Sequence, residues 1–211
     1  MIKLFYYKIT NRLETAVFNN LLQQLPVTLQ HKILKYRNWQ DAERSLAGNI
    51  LLLKGLASIG RKEYTLDELK YTEFQKPYFD DAIHFNITHS GEYVICALSE
   101  THKVGIDIEA IKDIPMEDFT NLFAKQEWEQ VINASNKLHA FYTLWTKKEA
   151  FLKAVGCGLS QPLNQVVIEN NFIIWESQPW FLHEVKLDSN HLAYICANTA
   201  GPDITITEIH F

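Results

Sequence analysis

FYTLWTKKEAFLKAVGCGLS, residues 141–160, reads as a helix with charges in unusual places. Phe141, Leu144, Trp145, Phe151, Leu152 and Val155 recur close to a 3.6-residue period. Gly156 and Gly158 follow, where a left-handed C-cap is expected. Lys148, Glu149 and Lys153 lie among these bulky residues. Glu149 and Lys153 are four apart and share one side of the helix, with Trp145 a turn earlier on that side. Taken alone, Glu149 and Lys153 form a surface pair worth ~0.3–0.5 kcal/mol.

A second stretch, VGIDIEAIK (residues 104–112), gives that pair a context. Ile106 and Ile108 alternate with Asp107 and Glu109, the period of a strand, so the two carboxylates share one face. Carboxylates that close repel unless a cation lies between them. Asp and Glu oxygens, with water and phosphate, are what Mg²⁺ takes. An isolated DIE is otherwise a solvated acidic face. Glu149 supplies a third carboxylate if the helix packs across this strand.

GIDIE and WTKKEAFLK, with 35 residues between them, closely resemble the signature of the 4′-phosphopantetheinyl transferases. That signature is G-x-D-x-E followed by W-x-x-K-E-A/S-x-x-K. The match is to the longer, Sfp-like class, and not to the short holo-ACP synthases. The resemblance extends upstream over most of the chain.

Composition sets outer limits. The 211 residues are 47% hydrophobic, enough for one large domain or two small ones. A net charge of -5 disfavours wholesale nucleic-acid binding. MIKLFYYKITNRLET at the start lacks the apolar run of a signal peptide. No stretch of about 18 apolar residues suggests a membrane span. Cys96, Cys157 and Cys196 show no metal spacing and read as free thiols in a reducing cytoplasm. Cys157 lies between two glycines with no local partner base.

Taken in order, the chain opens on a strand at residues 2–9. Helical sequence at 16–36 breaks near Pro26, and its second piece, LQHKILKYRNW, is basic. DAERSLAGNILLLKGLASIG is a longer helix with Leu46, Ile50, Leu53 and Ala57 as its expected buried stripe and Gly60 at its end. In the resembling family a basic helix and D-A-x-R-x-L-L-G contact coenzyme A phosphates. Lys32 and Arg44 occupy the matching places, and Ala47 replaces the second leucine. Lys76 matches the lysine of the family's G-K-P, here QKP, and Pro77 holds it extended. FNITHSGEYVICALS suggests a hairpin around Gly91. Its Thr88 and His89 fall where the family holds CoA phosphates, Thr88 in place of serine. His84, His102 and His139 have no such support.

After GIDIE come a loop with Pro115 and one or two helices, on which Asp118, Glu127 and Glu129 form an expected solvated face. Strands are expected at 164–174, 180–187, 191–197 and 203–210, in an antiparallel sheet. YVICALS (93–99) and AYICANT (193–199) hint at an internal repeat.

The resemblance implies an α+β fold of two similar α/β halves packed as a pseudo-dimer, with the active site in the cleft between them. The expected division is 1–103, with CoA-phosphate contacts, and 104–211, with the carboxylates and the catalytic helix. The implied activity is Mg²⁺-dependent transfer of the 4′-phosphopantetheine arm of CoA to a serine of an apo acyl, peptidyl or aryl carrier protein, releasing 3′,5′-ADP. Asp107, Glu109 and Glu149 would bind Mg²⁺. Glu149, or a water on the metal, would take the serine proton. Lys153 would stabilise the leaving phosphate. Lys32, Arg44, Lys76, Thr88 and His89, together with Asp107 and Lys153, would hold CoA. Lys148 is open between a salt bridge and a phosphate contact. A cytoplasmic monomer without nucleic-acid or membrane partners is expected. Two other classes remain at this point: another Mg²⁺-dependent phosphotransferase or nucleotide hydrolase, and a non-catalytic CoA-binding module. No Walker loop or Rossmann glycine fingerprint occurs.

Overall fold

Asn136 and Gly156 bound the helix read from residues 141–160. The Asn136 side chain accepts from the His139 amide, and Gly156 takes the left-handed conformation at φ 86°. The computed structural model describes residues 1–158 and 161–211. Leu159 and Ser160, at the end of the opening stretch, lie outside the described residues.

Two compact units form. The first comprises Met1–Thr101 with Asp203–Phe211, the second His102–Pro202. Unit 1 runs β1 (Ile2–Lys8), α1 (Thr15–Leu22), α2 (Val27–Leu34), α3 (Trp39–Ser58), a ribbon of β2 (Lys70–Tyr71) and β3 (Pro77–Tyr78), β4 (His84–Ser90) and β5 (Tyr93–Ser99). Unit 2 runs β6 (Val104–Ala110), α4 (Lys125–Asn133), α5 (Lys137–Val155), β7 (Phe172–Trp175), β8 (Gln178–Glu184) and β9 (His191–Ala197). The last strand, β10 (Ile204–Glu208), belongs to unit 1.

The sheets are ordered β10-β1-β5-β4 and β6-β9-β8-β7. Within both, a first strand, a long helix and a hairpin recur, and the hairpin's last strand inserts between its neighbours. The repeat hinted at by YVICALS and AYICANT has this topological basis, since β5 and β9 are those inserted strands. All seven residues of each are buried, which is why both read as continuous apolar runs and not as alternations. Cys96 stands between Phe5 and Ile87, and Cys196 between Gly105 and Leu182, so the two cysteines hold the same place in the two sheets. None of the three cysteines forms a disulfide.

Several elements differ from their sequence reading. The strand at 203–210, expected in the second half, pairs in parallel with β1, from Ile2 opposite Ile204 to Tyr6 opposite Glu208. Alternation marks a strand but does not name its partner. The strand expected at 164–174 is confined to β7, Phe172–Trp175; the carbonyls of Leu163 and Val166 accept from Lys148 instead of joining a ladder. The α3 stripe is wider than expected, with Leu46, Ala47, Ile50, Leu51, Leu52, Gly55 and Leu56 buried and Ala57 exposed. Gln75, where the family has glycine, takes the glycine-like φ of 63° between β2 and β3. Among the described residues no helix is long and apolar enough to cross a membrane.

Candidate active site

Helix α5 lies directly on the backbone of β6 at Gly105. A Cβ at that position would meet Ala150 O, Ala154 N and Ala154 Cα, all backbone atoms. Only glycine allows this approach, and its effect is to set the α5 side chains against Asp107. Lys153 Nζ donates to Asp107 Oδ1 at 2.5 Å. Trp145 Nε1 donates to Glu109 Oε1 at 3.3 Å. Glu149 lies half-buried on the same helix face, and its Oε1 is buried without a hydrogen-bond partner among the described residues.

The structure therefore brings Asp107, Glu109, Glu149 and Lys153 together within unit 2. Burial pushes the Asp107 carboxyl up to about 7, against the pull of Lys153, with the Glu109 and Glu149 charges adding to the rise. Burial likewise raises Glu149, opposed by Lys153 and assisted by Glu109. Three coupled carboxylates and one ammonium leave an excess of negative charge. A buried carboxylate oxygen without a donor is costly. A hard divalent cation would relieve both, so the residues present fit one.

Trp145 had no assigned role at the sequence level beyond its side of the helix. A half-buried indole N–H needs an acceptor, and that requirement together with its place one turn before Glu149 is the signal that could have found it.

Lys148 is a structural cation and not a phosphate ligand. It is fully buried, and its Nζ donates to Glu127 Oε2 at 2.6 Å, Leu163 O at 2.8 Å and Val166 O at 2.6 Å. That occupies all three of its donors. Glu127, expected on a solvated face, is buried as Lys148's counter-ion and also accepts from the Ala124 amide at 3.1 Å. Asp118 and Glu129 are exposed as expected.

Unit 1 places the other candidates in three settings. Arg44 and His89 line one cleft of about 330 Å³, with Tyr36, Ser45 and Asn49. Arg44 is held by Gly91 O, from Nη2 at 2.7 Å and Nε at 3.1 Å, and by Asp41 at 2.9 Å. Thr88 follows the opposite parity along β4, so it faces away from His89 and is buried. Lys32 is exposed on α2. Lys76 is half-buried at the β2–β3 turn, where its backbone N–H donates to Thr72 Oγ1 at 3.1 Å.

Similarity to known proteins follows the same two units. A family model described as the 4′-phosphopantetheinyl transferase superfamily matches residues 103–195. A second, described as 4′-phosphopantetheinyl transferase, N-terminal, matches residues 13–101. The chain is 36% identical over 205 residues to the 4′-phosphopantetheinyl transferase gsp of Aneurinibacillus migulanus, which covers 93% of this chain and 86% of that protein. The chain belongs to the 4′-phosphopantetheinyl transferase superfamily. The Sfp transferase of Bacillus subtilis (strain 168) is 32% identical over 192 residues, covering 82% of this chain and 81% of that one. The resemblance carried by GIDIE and WTKKEAFLK thus extends over most of the length. In this transferase the two signature segments are β6 and α5, the pair held in contact by Gly105.

Proposed function

We propose that this transferase moves the 4′-phosphopantetheine arm of coenzyme A to a serine hydroxyl of an apo carrier protein, as a Mg²⁺-dependent monomer in the cytoplasm. The observation that carries the metal requirement is the cluster of buried Asp107 with half-buried Glu109 and Glu149, with an oxygen of Glu149 left without a donor. Those three residues would hold Mg²⁺, which supplies charge neutralisation and Lewis acidity to the CoA pyrophosphate when bound.

The chain's own residues do the rest. The serine oxygen bonds to the phosphorus that carries the pantetheine arm, and the bond from that phosphorus to the leaving 3′,5′-ADP breaks. Glu149 accepts the serine proton; burial makes it a better base than an ordinary carboxylate. Lys153, held beside Asp107, meets charge developing on the leaving phosphate. Arg44 and His89 bind CoA phosphate in their shared cleft, and Lys32 and Lys76 contribute further contacts, whereas Thr88, buried on the opposite face of β4, does not reach that cleft.

The test is incubation with CoA, Mg²⁺ and a panel of apo acyl, peptidyl and aryl carrier proteins, read by intact mass. The expected result is a gain of one phosphopantetheine on at least one carrier, abolished by chelation and nearly abolished in a folded Asp107→Ala variant. Cleavage of CoA or a free nucleotide without any acceptor would assign a hydrolase instead.

A further inference from the structure

On the side of α5 away from Glu149, unit 2 holds a cleft of about 520 Å³. Lys147 reaches it because two residues along a helix turn the side chain by roughly 200°. Its Nζ donates to Asn171 Oδ1 at 2.6 Å and lies 5.0 Å from the centre of the Tyr194 ring. Glu184, at the end of β8, lines the same cleft. Neither Lys147 nor Glu184 forms an ion pair among the described residues. Leu144 and Ile168 give the cleft an apolar wall.

This combination is selective. A half-buried ammonium is steadied by a neutral amide and an aromatic face, and Glu184 acts on it as an opposite charge without closing an ion pair. Asn171 accepts from Lys147 through Oδ1, which leaves its Nδ2 amide as a donor beside that ammonium. A carboxylate would satisfy both groups. Glu184 would accept from a ligand ammonium. Two opposite charges that share a cleft without joining each other match a molecule carrying both.

We propose that this cleft binds a free α-amino acid with an apolar side chain. The carboxylate meets Lys147 and Asn171, the ammonium meets Glu184, and the side chain packs on Leu144 and Ile168.

Isothermal titration of the full chain, without CoA or carrier, tests this with three probes. These are L-leucine, 4-methylpentanoate (no ammonium) and L-leucinamide (no carboxylate). L-leucine is expected to bind saturably with a Kd of about 1 mM or tighter. Each analogue is expected to bind at least ~10-fold more weakly, and Lys147→Gln and Glu184→Gln are each expected to weaken L-leucine by ~10-fold or more. Melting curves confirm that the variants fold, and the analogue series on the unaltered chain decides the matter if either does not. Absence of saturable L-leucine binding, equal binding of an analogue, or affinity kept within ~3-fold in either folded variant overturns the proposal. Because neither CoA nor carrier is present, such a failure leaves the transfer reading untouched.

Discussion

Asp107 is where burial and charge conflict most openly. Its carboxyl is pushed up to about 7 by burial, so the folded chain binds this proton more tightly than the unfolded one. The stability gained is complete below the ordinary carboxylate range and is lost as pH rises through about 7, by at most ~1.4 kcal/mol per pH unit. A divalent cation needs the ionised cluster. We therefore expect the metal-free chain to lose melting temperature, relative to Asp107→Asn, between about pH 5 and about pH 8. Added Mg²⁺ should raise the melting temperature at about pH 8 and much less at about pH 5.5. Melting curves at both pH values, with and without Mg²⁺, check this; a response that is equal at both would contradict it. Lys148 presents the opposite case, a buried charge fully partnered. Lys148→Ala would strand the Glu127 charge and two carbonyls, at a cost of ~3–5 kcal/mol. Denaturant midpoints measure that cost, and a loss under ~1 kcal/mol would contradict the buried ion pair.

Among the elements, the α5–β6 contact matters most to the site. Gly105→Ala would drive a methyl into the backbone of α5, where no side chain can yield. We expect a loss of ~3 kcal/mol or more, with turnover falling further than the folded fraction because Lys153 moves from Asp107. Unit 1 offers a control. A Cβ at Gly55 on α3 would meet only side-chain atoms, Phe5 Cε2 at 3.2 Å and Leu98 Cδ2 at 3.3 Å, so Gly55→Ala should cost ~1 kcal/mol. Denaturation of both variants, beside the transfer rate, distinguishes the two cases. Equal losses would remove the special role of Gly105. The C-terminal end of α5 was legible because its apolar period and its terminal glycine agree, whereas its capping by Asn136 was read only from the structure. The burial of Glu127 was not, because its partner comes from another helix and the loop carbonyls from a third segment. A charged residue on an amphipathic helix looks solvated until those partners are placed.

Over the whole molecule, one topology is used twice, and the short cysteine-bearing strands were its legible trace. The placement of β10 was not legible, since period-two alternation is the same whichever strand it joins. The candidate site was the more legible part: two local periodicities plus one packing assumption, that α5 crosses β6, group Asp107, Glu109, Glu149 and Lys153, and the family resemblance of the two segments singled them out as a site. Arg44 and His89 come together in one cleft, whereas Thr88 lies on the other face of its strand, a consequence of parity along β4. Transfer by the intact chain to its acceptor is tested most directly by a time course of apo carrier intact mass across a Mg²⁺ series. Unaltered chain, Lys153→Ala and Glu149→Gln are compared, each with its melting curve. We expect Mg²⁺-dependent transfer by the unaltered chain and a kcat lower by roughly 100- to 1000-fold in Lys153→Ala, with the KM for CoA changed far less. Glu149→Gln is expected to transfer slowly, with a raised Mg²⁺ requirement. Unaltered rates in both folded variants would contradict these expectations.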